Sequence, residues 1–259
     1  MIELTADNYF STEANMDYWS VSQFKAFNKC EACGLAEARG EYEREKTSAL
    51  LVGSYVDEAF TGNLGAFAYQ HPEIFNSRTG ALKADYKHAE TMIEAVKRQP
   101  MMMDFLRGER QVIMSAELFD VPWKIKIDVH GWDKIVDLKT VKDFGDVYED
   151  GFGRRNWVEY WGYDIQGAIY QRIEQLASGR TEPLPFYLVC VTKEKVPDVK
   201  ILHIDQSYLD TALKLVEAKI ERFDLIKNGD VEPKRCEKCE YCKQTKVITK
   251  PEEFEIREA

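Results

Sequence analysis

Long apolar segments are missing from this chain of 259 residues. No run of about eighteen apolar residues occurs, so we predict that no segment crosses a membrane. The first residues are acidic and include only a short apolar stretch, which predicts no signal peptide and a cytoplasmic location. The hydrophobic fraction of 44% and the charged fraction of 31% are typical of a soluble globular protein.

Two common catalytic motifs are also missing. The chain has no glycine-rich phosphate loop and no Gly-x-Ser-x-Gly elbow, so nothing indicates a nucleotide kinase or a serine hydrolase. Excess positive charge is absent too: the formal net charge is −10, which argues against non-specific adhesion to nucleic acid. A nuclease is not excluded, because a local basic groove and a bound metal ion can attract phosphate to an acidic protein.

The apolar periodicity predicts helices around a central sheet. Apolar residues recur every three or four positions in several stretches, which predicts helices over 20–35, 48–60, 84–98, 157–177 and 206–227. Alternating or continuous apolar residues predict strands over 110–119, 124–129, 135–140, 184–192 and 199–204. The remaining long stretches are expected to be an irregular lead-in over 1–19 and loops over 62–80 and 144–156.

This order of elements predicts an α/β protein. Helices precede an antiparallel meander, and a further helix leads to a buried strand, which indicates a mixed central β-sheet flanked by helices. We expect a single domain over residues 1–259, since a chain of this length can bury one large core. A cysteine-cluster segment at about 230–246 and a mobile acidic tail are expected at its end.

A short hairpin at 124–140 carries the strongest chemical signal. Successive strand side chains alternate in direction, so Asp137 and Lys139 share one face of the second strand. Pairing with the first strand brings Asp128 towards Asp137. Two carboxylates can hold a hard divalent cation, and the lysine can orient or help deprotonate a water molecule for phosphodiester hydrolysis. The alternative is an exposed hairpin face with ordinary surface charges.

Two polar residues follow in the next predicted helix. Gln166 and Tyr170 are four positions apart, so they lie on one helical face, from which they could reach the metal site or a substrate phosphate. A helix-packing pair is the alternative. Basic side chains near the hairpin are candidates for phosphate contacts, each with plain surface charge as the alternative: Lys124, Lys126, Lys142, Arg154 and Arg155.

The cysteines are unevenly distributed, with three of the six at Cys-x-x-Cys-x-x-Cys spacing. Structural disulfides are unlikely in the cytosol, so the set Cys236, Cys239 and Cys242 indicates metal ligation. Three closely spaced thiolates require a fourth ligand from elsewhere, and either Cys30 or Cys33 could supply it. Free reduced thiols in a flexible tail are the alternative.

Taken together, these motifs resemble those of the PD-(D/E)XK nuclease superfamily, in particular its RecB-like and exonuclease-VIII-like phage and prophage exonucleases. There, Gly-x-x-x-His, Asp, (Asp/Glu)-x-Lys and Gln-x-x-x-Tyr follow one another along the chain. The resemblance extends from residue 20 to residue 242 and implies a restriction-endonuclease-like core. The matching positions here are Gly53–Asp57, Asp128, Asp137–Lys139 and Gln166–Tyr170.

The resemblance also implies roles for these residues. Asp128 and Asp137 would bind Mg²⁺ or Mn²⁺, Lys139 would serve the attacking water, and the pair Gln166 and Tyr170 would help position DNA or the catalytic groups. Asp57 stands where the histidine is usual. A third carboxylate is still a ligand for a hard cation and shifts the expected preference towards Mg²⁺. The same departure is also compatible with an inactive relative.

The cysteines fit the same resemblance. RecB-like nucleases with an iron–sulfur cluster have one cysteine before the nuclease core and three after it, and the first follows a Ser-x-Ser helix start. Cys30 follows Ser20-Val-Ser22 in this way, so the resemblance implies Cys30, Cys236, Cys239 and Cys242 as the ligands. A [4Fe–4S] cluster would then close the domain without joining the hydrolysis, with Zn²⁺ as the alternative.

We therefore expect a metal-dependent DNA exonuclease that acts in recombination or DNA-end processing. DNA is the expected substrate, and the family resemblance implies a single-strand annealing recombinase as a partner. The alternative from another functional class is a catalytically inactive module that keeps the nuclease fold and binds DNA or protein.

Overall fold

The computed structural model describes residues 1–45 and 47–251. Its strands are β1 (Glu109–Leu118), β2 (Val121–His130), β3 (Ile135–Val141), β4 (Val147–Glu149), β5 (Gly153–Arg155), β6 (Phe186–Thr192) and β7 (Val199–His203). Its α-helices are α1 (Thr12–Asp17), α2 (Val21–Lys29), α3 (Glu31–Ala38), α4 (Ser48–Thr61), α5 (Leu64–Gln70), α6 (Ala84–Lys97), α7 (Pro100–Phe105), α8 (Trp157–Tyr160), α9 (Tyr163–Ser178), α10 (Gln206–Asn228) and α11 (Glu240–Gln244).

The central sheet has five strands in the order β1-β2-β3-β6-β7. β1, β2 and β3 form an antiparallel meander, β6 runs parallel to β3, and β7 returns antiparallel to β6. A parallel neighbour requires a long crossover connection, which here includes helix α9. The predicted α/β fold with a mixed central sheet flanked by helices is therefore confirmed.

The sheet separates two hydrophobic cores. On one face, Trp123 and Ile127 of β2 pack with residues of α2, α9 and α10, including Phe24 and Ile169. On the other face, residues of β2, β3 and β6 pack with the apolar sides of α4, α6 and α7. Both faces of the central strands are thus covered, which explains why β6 reads as an almost continuous apolar run.

Close helix–sheet contact is needed where α9 crosses the sheet. A Cβ atom at Gly167 would lie 2.6 Å from the ring of Phe186 and 2.9 Å from Leu209. Only glycine leaves room for this approach. The helix therefore lies close against β6 at the residue directly after Gln166.

Several boundaries differ from the sequence-based predictions. The predicted helix over 20–35 is two helices, because Cys30 adopts extended backbone (φ −161°) between α2 and α3. The predicted helix over 157–177 is broken by Gly162 at φ +62°, and Trp161 of its apolar face is 47% exposed.

The stretches expected to be irregular contain short elements. The lead-in includes α1, whose first turn is capped by the Ser11 hydroxyl. The predicted loop over 62–80 includes α5 and a 3₁₀ turn at Pro72–Ile74, and the loop over 144–156 includes the two-stranded sheet β4–β5. The expected mobile tail lies, from residue 252 onwards, outside the described residues. No helix within the described part is long and apolar enough to span a membrane.

Candidate active site

A local separation of β2 from β3 creates the centre of the site. The two strands pair at Val129 with Val136 and at His130 with Ile135, and the paired register ends there. The carboxylate of Asp128 occupies the space that opens next, and its Oδ2 accepts a hydrogen bond of 3.1 Å from the backbone N–H of Leu138. The Asp128 carboxylate, rather than a backbone carbonyl of β2, thus accepts this hydrogen bond from β3.

Asp137 is the most deeply buried acid of the site, with 1% of its surface exposed. Its Oδ1 accepts a hydrogen bond of 2.5 Å from the side-chain amide of Gln166 on α9. Its Oδ2 forms an ion pair with the ammonium group of Lys139, two residues along β3. The predicted sharing of one strand face by Asp137 and Lys139 therefore places both groups against α9.

Helix α4 brings Asp57 to the same site. Gly53, one turn earlier, lets α4 approach β3, since a Cβ atom there would lie 3.1 Å from the Thr140 hydroxyl. Asp57 Oδ2 accepts a hydrogen bond of 3.2 Å from the Gln111 amide, which also donates to Asp128 Oδ1 at 3.4 Å. The other oxygen of Asp57, Oδ1, is buried and has no hydrogen-bond partner among the described residues. A buried carboxylate oxygen without a donor is expected where a cation binds.

The acidic groups disfavour one another's ionisation. Burial, followed by the charges of Glu58 and Asp137, raises the pKa of Asp57 to about 6. Burial and the charge of Asp137 raise the pKa of Asp128 well above its ordinary value. Burial opposes the charge on Lys139, but Asp137 and Asp128 outweigh it and raise the pKa of the ammonium group. A divalent cation would relieve this repulsion, and carboxylate oxygens are the type of donor that Mg²⁺ or Mn²⁺ prefers.

Tyr170 contacts the strand rather than the carboxylates. Its hydroxyl donates a hydrogen bond of 3.0 Å to the backbone carbonyl of Lys126, two residues before Asp128. Tyr170 still lines the cleft together with Gln166. The two residues therefore contact the site differently. Gln166 donates to the Asp137 carboxylate, and Tyr170 donates to the backbone of β2.

A cleft of about 1030 Å³ is lined by most of these site residues, namely Gln111, Asp128, Asp137, Lys139, Gln166 and Tyr170. Of the predicted phosphate contacts, Lys126 and Arg155 line this cleft, whereas Lys142 and Arg154 are exposed outside its lining. The prediction for Lys124 is wrong. Its side chain is 1% exposed and donates to the Tyr9 carbonyl at 2.5 Å and to Asn15 Oδ1 at 2.9 Å. It therefore holds the N-terminal segment against β2.

Residues 20–245 match the family described as a PDDEXK-like domain of unknown function (DUF3799). The chain belongs to this PDDEXK-like family. The similar solved structures include a protein from Eubacterium rectale described as a "putative exonuclease", with a TM-score of 0.92 and 43% sequence identity. The match covers 98% of this chain and 97% of that one. A search of curated proteins gave no match. The resemblance drawn from the motifs is thus confirmed at the level of the superfamily.

The PDDEXK-like protein also brings four cysteine thiols together at the far end of α2. The Sγ atoms of Cys30, Cys236, Cys239 and Cys242 all lie within 4.8 Å of one another. Cys33 lies outside this set, and its thiol instead contacts the Glu37 carboxylate at 3.4 Å. Cys30 therefore is the distant thiol that joins the three of the C-terminal segment.

Backbone amides support the thiolate form of Cys236, whereas burial raises the pKa of the Cys239 thiol to about 11. The N–H groups of Cys239 and Cys242 donate to the sulfurs of Cys236 and Cys239 at 3.3 and 3.4 Å. Burial raises the pKa of the Cys236 thiol, but the amides of Lys238 and Cys239 outweigh it and lower this pKa to about 6. Metals bind the thiolate rather than the thiol. The donor set therefore fits a thiolate-bound metal.

Glu31 of α3 connects the cysteine segment and α10 to the N-terminal helices of the PDDEXK-like chain. Arg222 of α10 donates to both carboxylate oxygens of Glu31 at 2.9 and 2.8 Å. Glu31 also accepts the backbone N–H of Lys234 at 2.7 Å. Tyr42 and Tyr241 pack with their ring centroids 5.3 Å apart. The segment that follows α10 is therefore fastened next to Cys30.

Two residues of the cleft were not found by sequence reasoning. Gln111 bridges two of the acids from a backbone with φ +54°, a conformation that a residue in a strand rarely adopts. Lys25 of α2 donates a hydrogen bond of 2.8 Å to the carbonyl of Trp161, and burial followed by the charge of Lys139 lowers its pKa to about 8. Neither residue belongs to a motif, and only tertiary packing brings them to the site.

Proposed function

We propose that this protein is a metal-dependent deoxyribonuclease that hydrolyses phosphodiester bonds at DNA ends. The observation that carries the proposal is the convergence of Asp128, Asp137 and Lys139 in one cleft. Asp57 of α4 is joined to Asp128 through the Gln111 amide. Family membership and similarity to the described exonuclease support a nuclease of this kind. A role in recombination or end processing, with a single-strand annealing recombinase as partner, is part of the same proposal.

The acidic side chains would hold one divalent ion. Asp128 and Asp137 offer oxygens on either side of the gap between β2 and β3, and Asp57 offers the buried oxygen that has no donor. When bound, such an ion polarises the phosphate and lowers the pKa of a coordinated water. Gln166 fixes the orientation of Asp137, and Gln111 does the same for Asp57 and Asp128.

Lys139 supplies the positive charge that stays next to the acids. Its raised pKa keeps the ammonium group protonated at neutral pH, so it can orient the attacking water and offset negative charge that develops on the phosphate. Lys25 of α2 is a second cation that lines the same cleft. Together, the two lysines oppose the acids that would otherwise repel a phosphodiester.

The four cysteines are proposed to hold a structural metal. Four thiolates around one zinc ion at about 2.3 Å would lie about 3.8 Å from each other. The sulfurs of Cys30 and Cys242 are 3.6 Å apart, and those of Cys236 and Cys242 are 3.9 Å apart. In a [4Fe–4S] cluster each thiolate binds a separate iron, which requires wider spacing. The observed spacing therefore favours zinc over the iron–sulfur cluster. Metal analysis and the visible absorption of the purified protein separate the two: a brown protein with iron would reject the zinc assignment.

The nuclease proposal is tested with linear and closed circular DNA. We expect Mg²⁺-dependent loss of linear DNA, with circular DNA intact. The variants Asp137→Ala and Lys139→Ala should each reduce the rate by about 10²–10⁴-fold, since each removes a group that acts on the reacting phosphate. Lys142→Ala, on an exposed side chain of the same strand end, is the matched control. Equal digestion by the wild type and both variants would reject the mechanism.

A further inference from the structure

A second groove lies beside the cysteine cluster and is lined by basic residues. It has a volume of about 290 Å³ and runs between α2 and α10. Five basic side chains and a single acidic one, Glu31, line it. On a chain with a net charge of −10, such a concentration of positive charge is unusual. The basic residues are Lys29, Lys219, Arg222, Lys234 and Arg235.

Three of these charges remain available for a ligand. Arg222 is engaged by Glu31 through both carboxylate oxygens, and Arg235 pairs with Glu237 at 2.8 Å. Lys29, Lys219 and Lys234 have no acidic partner within ion-pair distance among the described residues. The ammonium group of Lys219 donates a hydrogen bond of 2.5 Å to the neutral side-chain oxygen of Asn28.

The groove continues into the active-site cleft. Asn28, Lys29 and Lys219 line both spaces. On α2, Lys25 faces the catalytic groups and Lys29 follows one turn later, about 6 Å further along the helix axis. A row of cations therefore leads from the acids on the sheet to the loop that contains Cys236.

We propose that this groove binds the phosphate backbone of the single DNA strand whose end lies at the active site. The proposal rests on the proposed nuclease function. Two features identify DNA as the occupant: the positive charge of the groove and its continuity with the cleft. A DNA strand held at the active site carries a row of further phosphates beyond the bond that is hydrolysed, and these are anions that the lysines can bind. The cysteine cluster then has a part in substrate binding, since Cys236 and the nearby Lys234 line the same groove as Lys29 and Lys219.

The test measures DNA binding without hydrolysis. A fluorescein-labelled single-stranded oligonucleotide is titrated with full-length protein in EDTA, and anisotropy is recorded at several salt concentrations. The triple variant K29Q/K219Q/K234Q should bind at least tenfold more weakly at low salt. Removal of three phosphate contacts should also reduce the salt slope of log K by about 2, since each contact to a single strand contributes about 0.7.

Two further variants separate charge from structure. The control K87Q/K195Q/K214Q removes three exposed lysines that lie outside the groove, one of them on α10 itself, and should change affinity less than twofold. The variant K29R/K219R/K234R keeps the charges and should keep the affinity. Thermal unfolding of each protein verifies that it is folded.

The possible results distinguish this inference from the proposed function. Equal affinity of the glutamine variant and its control would refute DNA binding by the groove. Hydrolysis by the wild type, and with it the proposed nuclease function, would be unaffected. Equal weakening by the glutamine and arginine variants would also overturn it, because the effect would then come from altered structure. A wild type that neither binds nor hydrolyses DNA would reject both proposals.

Discussion

Lys227, in the last turn of α10, is a buried lysine whose charge should make the stability of the protein depend on pH. Its side chain is 3% exposed. Its ammonium group donates to the Tyr18 carbonyl at 2.9 Å and lies 4.6 Å from the Trp19 ring centroid. Burial lowers the pKa of Lys227 from 10.5 to about 7, and the charge of Lys124 adds to this effect. Tyr18 and Trp19 lead directly into α2, so Lys227 supports the start of the helix that carries Lys25.

The direction and the magnitude follow from the two pKa values. The unfolded chain keeps its proton up to pH 10.5, whereas the folded protein releases it near pH 7, so the folded state binds fewer protons between these values. Stability therefore rises with pH in this window. Below pH 7 the buried charge lowers the free energy of unfolding by up to ~5 kcal/mol, and at pH 9.5 it lowers it by only ~1.4 kcal/mol. Raising the pH from 6 to 9.5 should recover about 3 kcal/mol.

Lys227→Met removes the titrating group and keeps the length of the side chain. The loss of the donor to Tyr18 costs the same at both pH values, so it cancels in the difference. Urea unfolding of the wild type and the variant at pH 6 and pH 9.5 measures the effect. Between pH 6 and pH 9.5, the free energy of unfolding of the wild type should increase by about 3 kcal/mol more than that of the variant. Lys214→Met, on an exposed position of the same helix, should show no such gain. Parallel pH profiles of the wild type and Lys227→Met would refute the reasoning.

Two other predictions concern packing and metal binding. Gly167→Ala should cost ~1–3 kcal/mol, because the new Cβ would lie 2.6 Å from the Phe186 ring. Gly65→Ala, with nothing within 4 Å, should be neutral or stabilising in urea unfolding. Cys30→Ser should lose the metal of the cysteine cluster and lower the melting temperature, whereas Cys33→Ser should keep the metal. Metal analysis of the purified variants checks this, and retention of a full equivalent by Cys30→Ser would contradict the assignment.

The central hairpin could be predicted from sequence because its information is local. Alternation within a strand determines which side chains share a face, so Asp137 and Lys139 could be placed together without knowledge of the rest of the fold. The gap between β2 and β3 could not be predicted in this way. It depends on the sheet's packing against helices on both faces, and it determines that Asp128 contacts the backbone of Leu138.

The residues that sequence reasoning missed are those brought to the site by distant elements. Gln111 lies at the opposite edge of the meander, and Lys25 lies on α2, from which its ammonium group reaches the carbonyl of Trp161 just before the break at Gly162. The prediction that Lys124 contacts phosphate is wrong for a related reason. A lysine in an alternating strand is expected to face solvent, but here the N-terminal segment covers it and supplies two oxygens to its ammonium group.

Helix α2 is the physical connection between the cleft and the cysteine cluster. It begins after the Ser20 cap, carries Lys25 to the cleft in its middle, and ends at Cys30. Lys25 and Cys30 are separated by five residues, or about 7.5 Å along the helix. A metal bound to Cys30 therefore fixes the end of the helix that positions a cation next to Asp137. Loss of the cysteine metal should consequently weaken DNA binding at the cleft, although no cysteine touches the reacting phosphate.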